Sequence, residues 1–149
     1  MHLEPYQIHP VLIHFPIALL SVAAVFEWGM PLVAKGPRER WLWVATCLLW
    51  TGTVFAGFAV ASGLWAQSTV PAIPSAYDTV GLHKKLGIAV GILGLVLSVW
   101  RIFRRPPVRP WPVALYGLLW IALLAAVGLA GFYGGRLVFD FGVGVTTAG

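Results

Sequence analysis

Charge is scarce in this chain. Only 10% of its 149 residues are Asp, Glu, Lys or Arg, and only 5 of them are acidic. Soluble domains carry about 25% charged residues, so a soluble globular fold is excluded. Cysteine is nearly missing as well. The single Cys47 can form no intramolecular disulfide, and no C-x-x-C-H element for covalent haem attachment exists. No Ser/His/Asp nucleophile set, H-E-x-x-H element or phosphate-binding loop occurs, so there is no positive case for a hydrolase or for a stand-alone enzyme. The opening Met1-His2-Leu3-Glu4-Pro5 lacks a basic n-region. The first apolar run is therefore expected to be retained rather than cleaved.

Hydrophobic residues fill the gap: they make up 59% of the chain, and the mean hydropathy is +0.85. Four apolar runs, at about 10–33, 41–65, 83–103 and 111–133, are long enough to cross a hydrocarbon core, which needs ~20 helical residues at ~1.5 Å each. Proline and glycine within such runs do not forbid helix, because neighbouring helices and side chains satisfy the freed carbonyls. The predicted fold class is all-α integral membrane. One domain, residues 1–149, forms an antiparallel bundle of four transmembrane helices with a short tail over 134–149. Gly134-Gly135 and Gly142 predict that this tail turns sharply.

The basic residues set the orientation. Lys35, Arg38 and Arg40 lie in the first connection, and Arg101, Arg104, Arg105 and Arg109 in the third. The other side has only Lys84, Lys85 and Arg136. Cytoplasmic loops hold the excess of Lys and Arg, so both termini are expected on the periplasmic side of a bacterial inner membrane. Topology thus accounts for the net charge of +5, and nucleic acid is not an expected partner. The lipid bilayer and other membrane subunits are. Trp28, Trp41, Trp43, Trp100 and Trp111 cluster near the basic connections, as an interfacial belt would. No ionisable residue except Cys47 is expected at mid-membrane, which argues against a proton-coupled carrier. Glu27, about one turn from the end of the first run, is expected to reach the interface.

Three histidines stand at the mouths of these runs. His14 shares a helix face with Ala18 and Ser21. His83 shares one with Gly87 and Gly91, a small-x-x-x-small pattern that admits a close neighbour. Both are expected to point into the bundle at one depth. Two imidazoles on facing helices can clamp a haem iron or bind copper or zinc; hydrogen bonding to a carbonyl or water is the plainer alternative. His9 is the alternative ligand. On a regular helix His9 and His14 lie ~140° apart, so only a kink at Pro16 would aim them together. Arg136 and Asp140, four residues apart, can pair with each other or support a histidine from behind.

The residues that carry these features also resemble a known family. Ile8-His9-Pro10-Val11-Leu12-Ile13-His14-Phe15-Pro16-Ile17-Ala18-Leu19-Leu20 resembles the H-P-x-x-x-H-F-P-I-A-L-L opening of the bacterial membrane family called domain of unknown function 2231. Leu82-His83-Lys84-Lys85-Leu86-Gly87 is similar to its H-x-x-x-G element. Gly134-Gly135-Arg136-Leu137-Val138 through Gly142-Val143-Gly144-Val145 is similar to its closing G-G-x-L-V-x-x-x-G-V-G-V. Phe141 stands where some relatives carry histidine. The resemblance implies a four-helix inner-membrane domain. Relatives joined to iron–sulfur or cytochrome c domains imply electron-transfer surroundings.

The leading functional expectation is a small redox component that binds one b-type haem, or a metal ion, through His14 and His83, with His9 in reserve and Arg136 and Asp140 behind the ligands. A cofactor-free accessory subunit of a respiratory or photosynthetic complex is the second. A quinone or small-ligand pocket at the outer mouth is the third.

Overall fold

In hydrocarbon every backbone N–H and C=O must find its partner inside the protein, so apolar sequence of this length becomes helix. The computed structural model describes residues 5–69, 73–103 and 110–144, and among these there is no strand. Helix α1 covers Pro5–Ala24, passes through a widened turn at Val25–Gly29 and continues as α2, Met30–Val33. Helix α3 covers Arg38–Thr69, α4 Tyr77–Phe103 after a tight turn at Pro74–Ala76, and α5 Pro110–Phe139. Four stretches are long and apolar enough to cross a membrane: Tyr6–Val33, Arg38–Thr69, Pro74–Phe103 and Val113–Phe139. They are called the first to fourth spans below. The expected surroundings of Arg104, Arg105 and Arg109, and the chain from Val145, lie outside the described residues.

Helices α1, α3, α4 and α5 each start before their apolar runs, and α3 and α5 also end beyond theirs. Helix α1 begins at Pro5 and runs through Pro10 and Pro16; it does not start at either of them. Helix α5 continues through Gly134-Gly135, where a turn was expected, and stops at Phe139. The turn comes at Gly142, whose φ of 63° is the left-handed conformation that glycine adopts without steric cost. There the Gly142 N–H donates to the Val138 carbonyl at 3.0 Å and the Val143 N–H to the Leu137 carbonyl at 2.9 Å. These two bonds are the usual closure of a helix C-terminus.

The widened turn has a cause in sequence. In an unbroken α-helix the Pro31 ring would press on the Glu27 carbonyl and offer it no N–H. The chain opens instead over Val25–Gly29, and the Met30 N–H reaches back five residues to the Val25 carbonyl. One-turn openings of this kind relieve such conflicts.

The first span packs on the second, the second on the third and the third on the fourth, while the first touches the fourth only lightly. The first and third therefore sit diagonally. One core draws on all four spans: Leu20 and Ala23, Leu49 and Ala56, Val90 and Leu97, Tyr116, Trp120 and Leu123. The outside is apolar as well. Val54, Ile92, Leu118 and Ile121 are each more than half exposed, an exterior that suits lipid and not water.

Two tight approaches in the core are at Gly52 and Gly94. A Cβ on Gly52 would lie 2.9–3.1 Å from Leu20 and Leu19, and one on Gly94 would lie 2.8 Å from the Thr53 hydroxyl. The expected contacts at Gly87 and Gly91 are looser. A Cβ would meet nothing within 4 Å at Gly87, and only Val60 at 3.9 Å at Gly91. Gly57, Gly131 and Gly135 are open in the same way. Spacing reveals small faces, but it does not reveal which of them receives a bulky neighbour. Gly52→Ala should therefore lower stability by about 1–3 kcal/mol, the usual cost of overpacking, while Gly57→Ala leaves it unchanged. Thermal unfolding of the two variants in detergent checks this, and equal midpoints would refute the close approach.

Candidate functional site

Helix phase decides which histidine faces inward. The buried side of the first span runs through Pro16, Leu20, Ala23 and Ala24, and His9 lies seven residues, about two turns, before Pro16. His9 thus points across the bundle, where its ring meets His83 on the diagonal third span. The ring centroids are 6.1 Å apart and the planes are nearly perpendicular, at 81°. His14 falls on the opposite side. It is exposed, and its Nδ1–H donates to the Pro10 carbonyl of its own helix at 2.6 Å. The expected His14–His83 pair is therefore replaced by His9–His83, because five residues turn the helix most of the way to its other face.

Each inward imidazole has a seat on an adjacent span. His83 donates its Nδ1–H to the Ala130 carbonyl at 3.0 Å. A Cβ on Gly134 would lie 3.0 Å from the His83 ring, so any larger residue there would push the ring by a few tenths of an ångström. His9 Nδ1 lies 3.1 Å from the Ser62 hydroxyl. Ser62 is buried and its hydroxyl also bonds the Ala59 carbonyl at 3.0 Å; while it donates there it can accept from an Nδ1–H of His9. The next residue, Gly63, has the His9 ring 2.9 Å from where its Cβ would stand. His83 therefore carries its proton on Nδ1 and keeps a lone pair on Nε2, and the His9 seat suits the same tautomer. An Nδ1–H held by an acceptor is the arrangement that orients a metal-binding imidazole.

Arg136 and Asp140 do not join this pair. They bond each other along the last turn of α5 at 2.7 Å, and both are more than two-fifths exposed. A solvated i,i+4 pair of this kind contributes little. Among the described residues no group of three or more His, Cys, Asp or Glu gathers to hold a metal ion. Among the described residues the inward donors brought together at this end are the imidazoles of His9 and His83.

The far end of the bundle holds a second polar site that sequence reasoning missed. Glu27 does not reach out to the interface: it is only 2% exposed. Arg101, expected in a solvated loop, turns inward from the end of α4. Its guanidinium bonds the Glu27 carboxylate at 3.0 Å, the Thr46 hydroxyl at 2.7 Å and the Leu42 carbonyl at 2.7 Å. One side chain thereby joins three spans. Trp28 and Trp100, beside these two residues in sequence, both lean on buried Tyr116 with centroids 5.9 Å away.

A signal for both sites was present in the numbering. His9 and Glu27 are eighteen residues apart, and so are His83 and Arg101. Eighteen residues make about five helical turns, so each pair shares one face of its span. Two diagonal spans with polar residues at one common spacing can meet twice, imidazole to imidazole and carboxylate to guanidinium.

A chain whose described residues form helices and turns without a strand, with four stretches long and apolar enough to cross a bilayer, is a multi-span membrane protein. The chain belongs to the family described as "Predicted membrane protein (DUF2231)", which matches residues 5–147. No curated protein and no solved structure matches it.

The ion pair makes its own prediction. Removing one member of a buried pair strands the other and costs about 3–5 kcal/mol, whereas replacing both with apolar groups is often neutral. Arg101→Met alone should sharply lower the melting temperature, and Glu27→Met with Arg101→Met should recover most of the loss. Additive losses in that double-mutant cycle would refute the coupling.

Proposed function

We propose that this chain is a small redox component of the bacterial inner membrane that binds one b-type haem between His9 and His83, beside or within an electron-transfer complex. The carrying observation is the pair of imidazoles at 6.1 Å, each with its Nδ1 already engaged by a neighbouring span. Two imidazoles bound in line to one metal at ~2 Å each would have their centroids ~6 Å apart. Haem fits the donor inventory better than a bare ion. A lone zinc or iron ion wants four or more ligands, whereas haem brings four equatorial nitrogens and asks the protein for two axial ones. Diagonal helices of a bundle are a usual place for such a site. Open space beside Gly87, one turn below His83, favours a flat group. When bound, the haem would supply one-electron chemistry. The chain's own residues orient the two ligands and exclude water.

The spans are read as antiparallel, because contacts descend along them: Leu20 meets Gly52, Val60 meets Gly91 and Trp100 meets Tyr116. Lys35, Arg38 and Arg40 crowd the Arg101 end, which favours that end as cytoplasmic and the histidine end as periplasmic. Phosphatase fusions after residue 69 should be active and those after residue 36 inactive; the reverse pattern overturns this orientation.

Purified protein should give a b-type reduced-minus-oxidised spectrum and a positive pyridine haemochrome. His9→Ala or His83→Ala should abolish both, and His14→Ala should retain them. No chromophore in protein expressed with added haem would overturn the reading.

A second reading has one observation of its own. His14 stands exposed beside Phe15, whose ring stacks on Phe55 at 4.6 Å with Phe58 next in line. A polar imidazole and an aromatic ladder on the outer face favour an accessory subunit covered there by another membrane protein.

A further inference from the structure

The two seats differ in strength, and the geometry points to His9 as an exchangeable ligand. The site would then switch between a His9–His83 pair and His83 with one small neutral molecule of the carbon monoxide or nitric oxide class. This inference rests on the haem reading above.

The asymmetry begins in the backbone. Neither Pro10 nor Pro16 can donate to the carbonyl four residues back, so the first three turns of α1 lose two of their internal bonds, on either side of His9 and His14. The third span has no proline between Tyr77 and Phe103. His83 also lies six residues after the start of that helix and is preceded by the Pro74–Ala76 turn, whereas His9 lies four residues after the start of α1.

The side-chain bonds repeat the contrast. His83 is held by a main-chain carbonyl of the fourth span, which cannot rotate away. His9 also meets a main-chain carbonyl, that of Ala59, but shares it with the Ser62 hydroxyl, which bonds Ala59 and lies 3.1 Å from His9 Nδ1. A carbonyl acceptor that is not so shared also makes the imidazole behind it the better donor. Both the helix and the acceptor therefore make His9 the ligand that yields. In the exchange the bond from the metal to His9 Nε2 breaks and one to the incoming molecule forms. No electron or proton moves: His9 keeps its Nδ1–H, hydrogen-bonded to Ser62 or to water at the mouth.

The test is carbon monoxide added to the dithionite-reduced full-length protein in detergent, followed by absorption. The wild type should convert to a carbonyl spectrum. Ser62→Ala should bind carbon monoxide roughly 2- to 10-fold faster, the factor expected for losing one net hydrogen bond. Ser62→Thr, which keeps the hydroxyl, should restore the wild-type rate. Ser68→Ala removes the same kind of hydroxyl bond, here to the Trp65 carbonyl and away from any histidine, and should change nothing. A reduced spectrum that carbon monoxide does not alter overturns this inference and leaves the haem reading standing. Conversion at equal rates in wild type and Ser62→Ala overturns the assignment to His9. A protein with no haem spectrum before the gas is added overturns both.

Discussion

One guanidinium sets the register of this bundle. Arg101 reaches the carboxylate of the first span and a hydroxyl and a carbonyl of the second, from the end of the third. Such a side chain has few alternative positions. In an apolar interior any slip by a turn would leave it, and Glu27, without partners at a cost of several kcal/mol. Hydrophobic contact alone would not discriminate so sharply, because one leucine-lined groove is much like the next and lipid is as apolar as either. Once Glu27 faces Arg101, the five-turn spacing carries His9 opposite His83. The histidine site is thus a consequence of the ion pair at the far end, and the polar groups specify an arrangement that the apolar ones make stable.

Much of the fold was legible in composition. Four runs, their basic connections and the lack of charge within them follow from what a bilayer permits, and the four spans appear where the hydropathy puts them. Element ends were less legible. Gly134 looked like a terminator, yet it continues the helix and leaves room for an imidazole, while Gly142 a little further on does the terminating. A glycine serves both purposes equally well, and only its neighbour in space tells which.

The site was half legible. His83 and His9 were both candidates, but His14 was placed ahead of His9, since its face carried the small residues Ala18 and Ser21. Those residues turn outward or stay half-covered, and small side chains against lipid look the same in sequence as small side chains against a helix. Ser62 gave no warning, for serines in membrane helices commonly bond their own backbone and this one does so too. Glu27 and Arg101 each looked like an interfacial charge. Their burial became visible only with the pairing of two spans that are neither adjacent in sequence nor neighbours in the bundle.

The common spacing of the two cross-ties also makes the molecule a ruler. Eighteen residues along a helix measure ~27 Å, close to the ~30 Å of a hydrocarbon core. Single helices adjust to thicker or thinner membranes by tilting or sliding. The first and third spans are bonded to each other at one end and in ring contact at the other, so neither tilts or slides without breaking the buried ion pair. Any mismatch must be absorbed by the surrounding lipid, which bends to meet a protein of fixed height.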